Sequence, residues 1–180
     1  MQWYNEPPQW SVEGDTITIT AAPQTDFWRI THDDGQRDSG HVYYERVTGD
    51  FVADVIVRAD YAALYDQAGL MVRLDETTWI KCGIEYFNDR QHVSAVVTRD
   101  ASDWSIIPLE TPPPALYLRV TRHDHTVEVH YSLDGAQYAM LRQAFLTRER
   151  TVDVGVMVCA PVGDGFTARF EGFRVEASAG

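Results

Sequence analysis

Trp79, Lys81 and Glu85 lie at odd positions in the run Trp79-Ile80-Lys81-Cys82-Gly83-Ile84-Glu85-Tyr86. In a strand they share one face, opposite the apolar row Ile80, Cys82, Ile84 and Tyr86. The apolar row belongs in a core. The other row combines an amine, a carboxylate and an indole, a set that can stack on the C–H face of a sugar ring and hydrogen-bond its hydroxyls. The preceding run groups Gln67, Gly69, Met71 and Arg73 against Ala68, Leu70, Val72 and Leu74. A hairpin turn over Asp75 to Thr78 would bring Gln67 and Arg73 onto the same face as Lys81 and Glu85. Lys81 and Glu85 would stand about 13 Å apart along the strand, with Gly83 leaving an open floor between them and Trp79 walling one end. The plainer account is a surface ion pair between Lys81 and Glu85, a contact contributing about 0–1 kcal/mol.

The elements that must position these residues are strands. Period-two alternation recurs over Asp15 to Thr20, Phe51 to Val57, Ala68 to Leu74, Trp79 to Tyr86, Val93 to Thr98, Ala115 to Thr121, Thr126 to Tyr131, Val152 to Val158 and Phe166 to Val175. Polar or Gly/Pro-rich turns separate them, including Thr48-Gly49-Asp50, Asn88-Asp89-Arg90, Pro112-Pro113-Pro114 and Asp134-Gly135. Helical periodicity is confined to Arg142 to Arg150, read as one short helix or a loop. The expectation is an all-β sandwich of two antiparallel sheets, forming a single domain over residues 1–180.

A formal charge of −12, from 27 acidic and 15 basic side chains, opposes binding to nucleic acid or an anionic membrane. The opening MQWYNEPPQW lacks a basic segment followed by an apolar run, so a soluble, unexported, cytoplasmic chain is expected. Cys82 and Cys159 sit in apolar strand patterns and read as buried reduced thiols. Phosphate-binding glycine loops, nucleophile elbows and calcium-loop spacing are absent, and no cofactor or metal is expected. His32-Asp33-Asp34 with Asp38 reads as a solvated acidic loop, and His123-Asp124-His125 as a polar turn.

The order DQAGLMVR, WIKCGIEY, SAVVT and SDWS, with TDFWR upstream and YSLDG downstream, resembles a family of unknown function in the concanavalin A-like lectin/glucanase superfamily. The resemblance covers nearly the whole chain and implies a jelly roll whose concave sheet holds saccharide in many superfamily members. It adds Trp28 and Trp104 to the candidate face, giving Trp28, Gln67, Arg73, Trp79, Lys81, Glu85 and Trp104. The expected function is a noncatalytic module binding a carbohydrate or polyol, with a saccharide as partner. The alternative is a protein-interaction or regulatory domain acting on a metabolic enzyme, with a protein as partner. A glycoside hydrolase or lyase comes third. Laminarinase-type members of the superfamily carry E-x-D-x-x-E, which sets paired carboxylates on one strand face. Here Glu13-Gly14-Asp15 begins that spacing and Thr18 ends it, and Glu85 has no carboxylate on its own strand, leaving Asp26, Asp66 and Asp103 as loop-borne candidates.

Overall fold

A computed structural model describes residues 1–178. In chain order its strands are β1 (Gln2–Tyr4), β2 (Gln9–Glu13), β3 (Thr16–Thr20), β4 (Phe27–Arg29), β5 (Gln36–Asp38), β6 (His41–Thr48), β7 (Phe51–Ala59) and β8 (Gln67–Arg73). They continue as β9 (Thr78–Phe87), β10 (Arg90–Arg99), β11 (Ala101–Pro108), β12 (Leu116–His123), β13 (Thr126–Ser132), β14 (Ala139–Phe145), β15 (Thr151–Cys159) and β16 (Thr167–Ala177). Two seven-stranded sheets stack as a jelly-roll sandwich, one ordered β1-β6-β15-β8-β9-β10-β11 and the other β14-β13-β12-β7-β16-β3-β2, while β4 and β5 form a separate hairpin. Every pairing between these strands is antiparallel.

The second sheet shows how alternation builds one buried face. Along β12, Leu116, Leu118 and Val120 are buried, whereas Tyr117, Arg119 and Thr121 are only partly covered. The inward row meets Leu70, Val72, Ile80, Cys82 and Ile84 from the first sheet, and these residues form the main core. The centre of the first sheet is covered on both faces. Every residue of β8 is buried, and so is Trp79 to Glu85 on β9. Runs with little polar interruption are the signature of strands covered on both sides. A second apolar cluster on the far face joins Phe27, Val42, Met71, Trp79, Val96, Met157 and Cys159. Burying each large apolar side chain there contributes roughly 1.5–3 kcal/mol.

The segment Arg142 to Arg150, read as a short helix or a loop, is the end of β14 followed by a loop. β14 pairs with β13 as an edge strand, and its ladder hydrogen bonds override a weak helical pattern. All nine alternating segments are strands. Cys82 belongs to the main core and Cys159 to the far-face cluster, on opposite sides of the same sheet, so a bond between them is geometrically barred. Burial pushes the Cys82 thiol up to about 12, and Cys159 moves in the same direction for the same reason.

Candidate functional site

The β4–β5 hairpin lies over the outer face of the first sheet and divides it. Phe27 packs edge-on against Trp79 with ring centroids 6.1 Å apart. Lys81 donates from Nζ to the Phe27 carbonyl at 2.7 Å and reaches Asp26 at 3.4 Å. At one end Arg73 donates to Asp38 at 2.9 Å, Tyr4 donates to the same oxygen at 2.6 Å, and the guanidinium lies 4.1 Å above the Tyr4 ring. At the other end Ser102 accepts from the Arg29 amide at 2.9 Å, and its carbonyl accepts from the Thr31 hydroxyl. The hairpin is thus fastened to β1, β8, β9 and β11.

Beyond this seal the same face opens into a cavity of about 760 Å³. Its base holds Gln67 and Glu85, directly paired across β8 and β9 and each about 5 % exposed. Phe87 and Trp104 from the sheet, Trp28 from the hairpin and Tyr65 from the preceding loop supply aromatic walls. Trp104 meets Phe87 at 5.2 Å and Trp28 at 6.5 Å, with interplanar angles of 83° and 89°. Asp26, Thr31, His32, Asp33, Arg37, Ser102 and Asp103 line the polar side, and Pro161 and Val162 close another. Two wall residues, His32 (φ 82) and Tyr65 (φ 67), and neighbouring Ile30 (φ 64) have left-handed backbone. That conformation costs free energy in a non-glycine residue and concentrates where a binding surface is held in shape.

Glu85 accepts two hydrogen bonds on one oxygen, from Ser94 at 2.7 Å and from the Trp104 indole at 2.8 Å. Burial raises its pKa above the usual carboxylate value, while Lys81, Ser94 and Trp104 pull it back in part. The other carboxylates each have a cation: Asp33 pairs with Arg37 at 2.5 Å, Asp26 with Lys81 at 3.4 Å and Asp103 with Arg142 at 3.1 Å. Among the described residues no cluster of histidine, cysteine and carboxylate ligands could hold a metal.

Of the seven expected site residues, Trp28, Gln67, Glu85 and Trp104 line the cavity. Trp79, Lys81 and Arg73, at 0 %, 3 % and 8 % exposure, lie beneath or beside the hairpin and hold it down. Lys81 pairs with Asp26, so the simple surface pair with Glu85 is absent. The open floor expected at Gly83 is corrected too: a side chain there would place its first carbon 2.0 Å from the Ala68 carbonyl oxygen. Gly83 lets β8 and β9 approach and lies outside the cavity lining. Asp26 and Asp103 do reach the cavity, while Asp66 caps the loop before β8 by accepting from Ala62 and Ala63. Tyr65, Phe87 and Thr31 escaped the sequence reading, and His32 and Asp33, read there as part of a solvated acidic loop, line the cavity. Phe87 continues the odd-numbered row of β9 and was accessible by alternation; the loop residues carry no periodic signal.

A model of the family described as Protein of unknown function (DUF1349) matches residues 3–178. The chain belongs to this family. A relative from Saccharomyces cerevisiae, named Regulation of enolase protein 1, is 34 % identical over 178 residues, covering 99 % of this chain and 90 % of its own. A crystal structure of a functionally unknown protein from the same yeast superposes with a TM-score of 0.95 at 34 % identity, covering 99 % and 97 % of the two chains. More distant likenesses concern the fold alone. A GH43 protein from Bacillus licheniformis gives a TM-score of 0.71 at 18 % identity, with 96 % of this chain matching 36 % of that one. The carbohydrate binding module CBM66 from Bacillus subtilis gives 0.62 at 13 %, covering 97 % and 95 %. Among the described residues of this family member, no helix is long and apolar enough to cross a membrane.

Proposed function

We propose that the protein is a noncatalytic binding module for a carbohydrate or related polyol, and that its ligand occupies the cavity beside the β4–β5 hairpin. The observation that carries this reading is the juxtaposition of the Trp28 and Trp104 rings with buried Gln67 and Glu85 in one open cavity. Sugars present apolar C–H faces and a rim of hydroxyls, and such a site offers stacking surfaces with fixed acceptors and donors. The sandwich architecture is shared with the carbohydrate binding module CBM66, which supports the scaffold, while the residues here support the site. Glycan-array screening followed by titration calorimetry tests the reading. Binding that Trp104→Ala removes, with the fold retained, is the expected result; no saccharide bound by the native protein would refute it.

A second reading is favoured by the name of the yeast relative: a protein-interaction domain that regulates a metabolic enzyme. Co-purification of one stoichiometric enzyme partner, insensitive to Trp104→Ala and to added saccharide, would support it over the first.

A further inference from the structure

Glu85 is the unusual charge of the cavity. It is buried, it lines the open space, and both its protein hydrogen bonds come from neutral donors, Ser94 and Trp104, on a single oxygen. The three neighbouring carboxylates are each held by a cation. Lys81, on the same strand face but under the hairpin, acts on Glu85 only through its field and turns its ammonium to the Phe27 carbonyl and Asp26. Arg37, the arginine of the lining, is engaged with Asp33. A carboxylate without an ion-pair partner inside a low-dielectric cavity favours a ligand that brings positive charge.

The aromatic walls point the same way. Trp104 stands nearly perpendicular to Phe87 and to Trp28, and at 72° to Tyr65. The rings that line the space are therefore set in more than one plane. The negative face of an aromatic ring attracts an organic ammonium, most strongly for tryptophan. A carboxylate at the base of an aromatic corner completes a receptor for such a group.

Resting on the carbohydrate reading above, we infer that the preferred ligand is cationic, an amine-bearing sugar or polyol whose ammonium sits against Glu85 and the Trp104 corner. Neutral sugars use the same stacking surfaces more weakly, and uronic acids meet a carboxylate they cannot neutralise. Acidic saccharides are accordingly excluded by the same group that selects the amine.

The test compares glucosamine, glucose, glucuronate and choline by calorimetry on the full chain, at one ionic strength and at a pH where the amine is protonated. Glucosamine should bind about tenfold or more tightly than glucose, the scale of one charge-assisted contact, and glucuronate should bind weakest. Glu85→Gln, which preserves shape and hydrogen bonding, should bring glucosamine and glucose to equal affinity, while Trp104→Ala should weaken both. Equal native affinities for glucose and glucosamine, or a preference for glucuronate, would overturn the cationic inference and leave the carbohydrate reading standing. Choline bound while all three sugars fail would keep the ammonium site and overturn the polyol frame. Failure of all four probes, with the array also blank, would overturn both.

Discussion

The outer face of the first sheet contains two regions that look alike in sequence and behave differently in the fold. Around Trp79 and Lys81 the β4–β5 hairpin lies directly on the strands, Phe27 fills the space above Trp79, and the lysine charge is consumed by a backbone carbonyl and Asp26. Around Glu85 and Trp104 the hairpin and its loop border the face without covering it, and the same mixture of indole and charged side chain lines an open cavity. Side-chain chemistry therefore does not separate structural from binding residues here. What separates them is whether another part of the chain has already taken the site a ligand would occupy.

The largest effect that could break this comparison is at Gly83, on the strand that runs through both regions. Gly83→Leu puts its first side-chain carbon against the Ala68 carbonyl, so the β8–β9 ladder must part. The expected result is loss of cooperative unfolding, a destabilisation above about 4 kcal/mol, read by circular dichroism on heating. A variant that melts normally would show that the two strands can separate without loss of the sandwich.

Next in size is the contrast between two tryptophans. Trp79→Ala should cost about 3–5 kcal/mol by leaving a cavity under Phe27, whereas Trp104→Ala should lose ligand and cost less stability, because Trp104 is only part-buried. Denaturant titration alongside calorimetry reads both quantities. Equal stability losses would erase the distinction between the sealed and open regions.

Lys81→Met should destabilise by roughly 1.5–3 kcal/mol, the range of a hydrogen bond to a charged group, and should loosen the hairpin in particular. Hydrogen exchange should then accelerate at the amides of Phe27 and Arg29 more than at those of β12. Uniform acceleration would mean that the lysine supports the whole sandwich and not the seal.

The smallest effect concerns pH. His41 accepts from the Ala22 amide at 3.1 Å through one ring nitrogen, and its other nitrogen contacts the Asn5 carbonyl at 2.6 Å. Burial holds its pKa below the ordinary 6.5, with the Asn5 contact opposing in part. The unfolded chain therefore takes up the proton first, and this residue's contribution is present above pH 6.5 and lost as pH falls toward the lowered folded value. Melting temperature should decline on acidification through that window, and His41→Gln should flatten the decline. Glu85 has the opposite sign: its raised pKa favours the folded state below about 4.5, and that advantage disappears as pH rises through the folded value. Glu85→Gln should therefore raise the melting temperature at neutral pH.

Alternation made the sandwich legible because β7, β9, β12 and β16 must each present one apolar row to the main core. It failed for β6, where Val42 serves the far-face cluster while Tyr43 packs against the main core, so neither face of HVYYERVT reads as polar. The site was half legible. Gln67 and Glu85 could be placed by strand parity, but the same parity includes Arg73, Trp79 and Lys81, and nothing local distinguishes a side chain facing a cavity from one facing a hairpin. That distinction is made by Phe27, more than fifty positions away in the chain from Trp79 and Lys81, and by loop residues with left-handed backbone whose conformations follow no hydrophobic period.

The fastenings of the β4–β5 hairpin also have a bearing on time. Its anchors to Lys81 and Ser102 span 54 and 73 positions of sequence, so neither can form until the strands bearing them are in place. Contacts between such distant positions are closed late, after the loop entropy between them has been overcome. The cavity wall is therefore finished after the sequence-local β8–β11 ladder that floors it, and a folding intermediate holding only that ladder would still lack a binding site. A ligand gripped by that wall should leave the refolding rate nearly unchanged and slow unfolding, acting as a brake on the first element to leave.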